Sequence, residues 1–224
     1  MILPQTSWPA APSQPALLPG EIHLWRASLT DPSHLSDCRS VLSRDEILRA
    51  ARFHFEEDAT RYIVTRGTVR MILARYLGED PASIELCTGA HGKPYLKHTF
   101  MDLRFNVSHS RDLALIAVSR GREVGVDVEW VQPDIAYEPI AEHYFDSREN
   151  WDLRTAPQSE RAPRFFDLWT QKEARLKAAG VGLIAEETRR TAWSVRPLNP
   201  AEGYAGAIAS EGEDWKLAYW EWSL

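Results

Sequence analysis

Cysteine is nearly missing from this chain of 224 residues, with only Cys38 and Cys87 present. They form no C-x-x-C pair and no histidines cluster at zinc spacing, which excludes a zinc-ribbon type of fold and leaves two reduced, partly buried thiols. Long apolar runs are missing too. No stretch approaches the roughly 20 residues that cross a bilayer. The first 20 residues, MILPQTSWPAAPSQPALLPG, have no basic segment followed by an apolar one. The expectation is a cytoplasmic protein without a membrane partner, whose residues 1–20 form a proline-rich, extended leader on the surface. An excess of positive charge is also absent: 26 Lys and Arg against 32 Asp and Glu give a net charge of -6. That argues against nucleic acid as the main partner, while a local basic patch could still hold a small polyanion. The remaining composition, 44% hydrophobic and 26% charged, suffices for one large domain or two small ones.

Periodicity divides the chain. EIHLWRA alternates as a strand does, LSRDEILRAARF opens on a Ser43 cap with helical spacing, and residues 56–77 read as one long helix. SIELCT, RFNVSHS, LALIAVS and EVGVDVEW follow as short β-rich runs, with a turn at TGAHGKP. The second half repeats this order loosely. Helical signals fall near 135–154, TAPQSERAP reads as a break, a strong helix runs from about 164 to 179, and TAWSVRP, YAGAIAS and WKLAYWEW close the chain. We therefore expect an α+β fold made of two similar halves, 21–121 and 122–224, each a small antiparallel sheet packed with helices.

The chemistry concentrates in three places. In V-G-V-D-V-E-W, Val126 and Val128 share one strand face, while Asp127 and Glu129 share the other, about 6.6 Å apart. Two carboxylates at that spacing repel unless a hard cation such as Mg²⁺ lies between them; the alternative is a solvated strand face. In FFDLWTQKEARLKAAGVGL, Phe165, Phe166, Trp169 and Leu176 form an apolar stripe with Glu173 inside it and Lys177 at its edge. An exposed i, i+4 pair is worth only some tenths of a kcal/mol, too little to offset burying Glu173, so a shared metal or polyanion site is the better account. Gly180 and Gly182 end that helix. Ser108 and His109 in FNVSHS point to opposite faces of a strand, which disfavours a nucleophile–base pair and leaves turn capping or a phosphate contact. GAHGKPYL lacks the Ser or Thr that a nucleotide P-loop needs, since Pro94 follows Lys93, yet Lys93 could meet a phosphate from a rigid turn. Finally, Arg61, Arg66, Arg70 and Arg75 occupy one helix with no acid between them, which suggests anion handling or carrier docking, or else pairing with Glu56, Glu57 or Asp58.

Together, F-N-V-S-H-S, G-V-D-V-E and W-T-Q-K-E-A-R-L-K-A-A-G-V-G-L, preceded by G-K-P, resemble the Sfp-type 4'-phosphopantetheinyl transferases from about Leu42 to Leu183. The resemblance implies a monomeric, cytoplasmic pseudo-dimer that moves the phosphopantetheine arm of coenzyme A onto a serine of an apo acyl or peptidyl carrier protein, releasing adenosine 3',5'-bisphosphate. It implies Asp127, Glu129 and Glu173 as ligands of Mg²⁺, with Mn²⁺ as a substitute. Lys177 then neutralises the diphosphate, Ser108 and His109 hold phosphate oxygens, Lys93 and Pro94 lie against the nucleotide, and Arg49 takes the 3'-phosphate. Asp127, Glu173 and Lys177 become the catalytic set, with Glu173 as general base. Glu46 stands where some relatives carry a second lysine, so the 3'-phosphate clamp is thinner or draws on Arg52 or Arg61. A Mg²⁺-dependent phosphohydrolase of coenzyme A would use the same acids, and its product, free phosphopantetheine, would distinguish it.

Overall fold

The structure, a computed structural model, describes residues 7–31, 33–89, 92–98, 101–180 and 192–224. Gly182, the second of the two glycines expected to end the α-helix, and residues Ala90 and His91 of the GAHGKP turn lie outside these residues.

The first half opens on β1 (Glu21–Ser28), followed by α1 (Ser33–Ser40), α2 (Arg44–Ala50) and α3 (Glu56–Leu77). Beyond a 3-10 turn at Pro81–Ser83 come β2 (Leu86–Thr88), β3 (Pro94–Leu96), β4 (Leu103–Ser110) and β5 (Leu113–Arg120), and β6 (Val124–Trp130) then opens the second half. The second half continues with α4 (Glu138–Tyr144), α5 (Ser147–Thr155), α6 (Gln158–Ala179), β7 (Trp193–Leu198), β8 (Tyr204–Glu211) and β9 (Lys216–Glu221). One sheet runs β4-β5-β1-β9, a second β6-β8-β7, and β2 and β3 pair by themselves. The mixed α+β architecture and the two-part arrangement follow the sequence pattern. One pairing departs from it. β9 belongs to the first sheet and lies parallel to β1, with Glu21 opposite Lys216. The leader adds to this edge: Glu221 N donates to Pro9 O, and Trp8 packs edge-on against Tyr219.

The α2 start shows how local sequence sets local structure. Ser43 Oγ accepts from Glu46 N while Glu46 Oε2 accepts from Ser43 N, a reciprocal cap that satisfies two otherwise free donors. The same Glu46 carboxylate then meets Arg66 Nη2 at 2.6 Å and Arg70 Nε at 2.7 Å. Arg70, 2% exposed, also donates to the carbonyls of Pro81 and Ile84. This corrects the reading of the arginine helix. Arg66 and Arg70 are bound within the fold, Arg61 pairs with Glu57, Asp58 and Asp112, and Arg75 donates to Ser223 O and lies over the Trp222 ring. Arg61 alone takes the expected acidic partners on its own helix.

The break expected at TAPQSERAP is confined to Ala156 and Pro157, because α5 ends at Thr155 and α6 starts at Gln158 and carries Pro163 inside it. Pro163 forfeits one backbone bond near the helix start. Arg161 offsets this by donating to Ala156 O at 3.0 Å and Arg154 O at 3.1 Å, and Ala162, Phe165 and Phe166 bury against Phe145 and Leu153. At the other end Gly180, at φ 68°, closes the helix by donating to Leu176 O and Lys177 O.

Two cores result. Trp25, Ile72, Leu73, Ile116 and Val118 fill the space between the first sheet and α1–α3. Ile22, Leu24 and Leu115 on the opposite face of that sheet pack with Val126, Val128 and Ile208, so apolar contact is continuous across the halves. Behind β6 the helix α6 comes close enough that a Cβ on Gly125 would strike the Ala174 carbonyl and the Ala178 backbone. Ala174, Ala178, Ala207 and Ala209 keep this layer thin.

Two predictions follow from these packing facts. Gly125→Ala places a methyl against backbone and not against a flexible side chain, so it costs upwards of about 3 kcal/mol and is read as loss of the folded fraction in urea titration. For Glu46, burial opposes ionisation, but the Ser43 amide and the charges of Arg66 and Arg70 outweigh it and hold the pKa below the ordinary 4.5. A depressed pKa stabilises the fold above the unfolded value and loses that contribution as pH falls through the folded one. Glu46→Gln is therefore expected to lose about 3 kcal/mol near neutrality by leaving two arginines uncompensated, and the gap in Tm to the parent should narrow below about pH 4.

Candidate functional site

The site forms where the edges of the two sheets face each other. β4 and β6 share no backbone ladder; β4 side chains supply the bonds instead. Val126 N donates to Asn106 Oδ1 at 2.9 Å, Val128 N to Ser108 Oγ at 3.4 Å and Trp130 N to Ser110 Oγ at 3.0 Å. Every second residue of N-V-S-H-S thus reads every second amide of V-D-V-E-W, the period that a strand imposes. This register places β6 with Val126 and Val128 in the core and Asp127 and Glu129 on the side of α6.

Asp127 is 2% exposed, so the solvated alternative for this residue is excluded. Its Oδ1 accepts from Ser108 Oγ at 2.8 Å and from Lys177 Nζ at 2.7 Å. Its Oδ2 is buried and takes no hydrogen bond among the described residues. Lys177 Nζ also donates to Ser108 Oγ at 2.9 Å, which fills that hydroxyl: two donors reach it, and its own proton goes to Asp127. A phosphate contact from Ser108 would require that proton to move. The ammonium of Lys177 lies on Asp127 and not on Glu173 one turn before it.

Glu129 accepts from Ser110 Oγ at 2.8 Å through Oε2. Burial and then the Asp127 charge raise its pKa, with Glu173 adding to the rise and Ser110 and Lys177 opposing it. Glu173 is raised in the same way, by burial first and by Asp127 second, against Lys177. Three carboxylates therefore crowd one another around a single ammonium. Among the described residues, no three His, Cys, Asp or Glu side chains are already drawn together as metal ligands. The fit to a cation rests on the donor chemistry: a buried carboxylate oxygen without a partner among the described residues, flanked by two acids whose ionisation is opposed by burial first and by the Asp127 charge second.

His109 has an exposed surface, yet the crowded recess lowers its pKa, with the charges of Lys177 and Arg61 adding to that effect. Its neutral form is therefore favoured. Lys93 bridges Glu123 Oε2 at 2.8 Å and Ala178 O at 3.2 Å, and with Pro94 and Phe105 it lines a cavity of about 320 Å³ that reaches Ala179 and Gly180. Arg49 lines a different cavity, of about 600 Å³, with Arg52, Leu48 and Phe53. The structure thus brings Ser108, Asp127, Glu129, Glu173 and Lys177 together, places Lys93 and Pro94 at the end of the same helix, and sets Arg49 in a separate recess.

Over 235 aligned residues the chain is 37% identical to the 4'-phosphopantetheinyl transferase HetI of Nostoc sp., covering 97% of this chain and 99% of that one. The chain belongs to the 4'-phosphopantetheinyl transferases. A family model described as 4'-phosphopantetheinyl transferase, N-terminal, matches residues 24–121 of the transferase, and one for the 4'-phosphopantetheinyl transferase superfamily matches 123–221. Sfp of Bacillus subtilis is 32% identical over 144 residues, 64% of this transferase and 62% of Sfp, and psf-1 of Bacillus pumilus is 32% identical over 150 residues, 66% and 62%.

Sequence reasoning missed Asn106 and Ser110, although the polar period in N-x-S-x-S was there to find. It also missed that Glu46 serves an internal role, which the S-x-x-E spacing from Ser43 had signalled.

The raised acids carry a prediction. Their folded pKa values exceed the ordinary 4.5, so folding binds protons more tightly there, and stability falls as pH rises from the ordinary value through the raised ones. Glu173→Gln removes one charge of the cluster and relieves Glu129. Its Tm relative to the parent should therefore increase from about pH 4 to about pH 8 in buffer free of divalent cations. A constant difference across that range would show that the carboxylates do not repel.

Proposed function

We propose that this transferase moves the 4'-phosphopantetheine arm of coenzyme A onto a serine hydroxyl of an apo carrier protein, with Mg²⁺ held by Asp127, Glu129 and Glu173. The observation that carries this reading is the buried, unpartnered Oδ2 of Asp127 beside two acids with raised pKa values. When bound there, Mg²⁺ supplies charge neutralisation at a diphosphate.

The remaining chemistry is distributed over the chain's own residues. Lys177, already aimed into the cluster, faces the diphosphate and stabilises the departing adenosine 3',5'-bisphosphate. Glu173 accepts the proton of the attacking serine, directly or through a bound water. His109 gains a proton as the phosphates approach and pairs with them. Lys93 and Pro94 receive the nucleotide in the 320 Å³ cavity. Arg49 takes the 3'-phosphate with Arg52, which lines the same recess; Glu46 is unavailable as a phosphate contact and Arg61 is engaged by three acids. The protein works as a monomer in the cytoplasm.

Incubation with coenzyme A, Mg²⁺ and a panel of apo acyl and peptidyl carrier proteins, read by intact mass, tests the activity: the carrier should gain one phosphopantetheine arm, whereas free phosphopantetheine would mark a hydrolase. Glu173→Gln and Lys177→Ala should each reduce turnover by about 10² to 10³-fold. Near-normal turnover in either variant would remove that residue from the mechanism, and unchanged transfer in excess chelator would remove the metal.

A further inference from the structure

Ser110 has no role in the resemblance or in the scheme above, yet its hydroxyl performs two tasks at once. It accepts Trp130 N–H at 3.0 Å, which leaves its own proton free to donate, and that proton goes to Glu129 Oε2 at 2.8 Å. Two residues earlier the same pattern occurs: Ser108 accepts the amide after Asp127 and donates to Asp127 itself. Each serine is thus fixed by the amide that follows an acid and orients the acid that precedes that amide. The two cases differ in one respect. Asp127 is short, buried and held a second time by Lys177, whereas Glu129 is longer, half-buried and held among the described residues by Ser110 alone. A free glutamate loses rotamer entropy when ordered, so a ligand of this length benefits most from a tether. The bond occupies Oε2 and leaves Oε1 available as a ligand.

We infer that Ser110 is a positioning residue that orients the Glu129 carboxylate toward the cation site shared with Asp127 and Glu173. This rests on the reading of those acids as ligands. Groups that orient a ligand from behind shift metal affinity about 10 to 100-fold when lost.

The test uses Mn²⁺ as the probe, with free Mn²⁺ counted by electron paramagnetic resonance on the full chain without coenzyme A. Ser110→Ala should weaken Mn²⁺ binding about 10-fold or more and shift half-maximal transfer to higher Mg²⁺ concentration by a similar factor, while Ser110→Thr, which keeps the hydroxyl, restores both. Asn106→Ala loosens the same seam without touching an acid, so its Mn²⁺ affinity should match the parent's. In a Glu129→Gln background Ser110→Ala should weaken Mn²⁺ binding no further. If Ser110→Ala does not fold, Ser110→Cys, which retains the volume but donates poorly, should give the intermediate affinity. Parent-like Mn²⁺ binding by the folded Ala or Cys variant overturns the inference, as does an equal loss in Asn106→Ala. Glu129→Gln separates the two levels: weakened binding there with normal binding in Ser110→Ala overturns the role of Ser110 alone, while unchanged binding there overturns the ligand assignment and this inference with it.

Discussion

The contact that everything else depends on is a joint between two sheet edges that has no backbone ladder. Two facing strands normally bury their amides against each other's carbonyls. Here β4 offers an amide oxygen and two hydroxyls in place of carbonyls, and β6 donates to them at alternate positions. A carbonyl can only accept, whereas a hydroxyl that accepts from an amide still has a proton to give. That difference lets Ser108 and Ser110 hold the strand and, with the same atoms, orient Asp127 and Glu129. Assembly of the halves and organisation of the acids are therefore one structural event.

Close helix packing completes the arrangement. Glu173 and Lys177 reach β6 because Gly125, Ala174 and Ala178 remove side-chain bulk from the layer between α6 and the strand. The cost of gathering three acids is visible in the raised pKa values of Glu129 and Glu173, and proteins commonly accept such a destabilised cluster where function requires it. Glu46 offers the contrast. It is about as buried as Asp127, at 6% against 2% exposure, but two guanidinium groups and an amide bring its pKa down. The first cluster is frustrated without a ligand and the second is satisfied by the chain itself.

Much of this was legible in the sequence, for identifiable reasons. Residues 56–77, the Ser43 cap, the strands at 103–130 and the inward face of Glu173 follow from periods of 3.6 and 2, which depend on neighbours in the chain. Arg66 and Arg70 were misread because their partner, Glu46, is distant in sequence and sits on another helix. The break at TAPQSERAP was read too long because propensity penalises Pro163, while side-chain bonds from Arg161 and the burial of Phe165 and Phe166 override it. The Lys177–Asp127 contact spans 50 residues, and no local spacing announces it.

The return of β9 gives the chain an order of completion. β1 has β5 on one side, but its other edge waits for residues 216–221, which are synthesised long after it. Until then the first half carries a bare strand edge, the kind of surface that recruits foreign chains. A strand from the second half is thus the closing strip of the first half's sheet, and a polypeptide cut between the halves would leave both pieces with an unfinished edge.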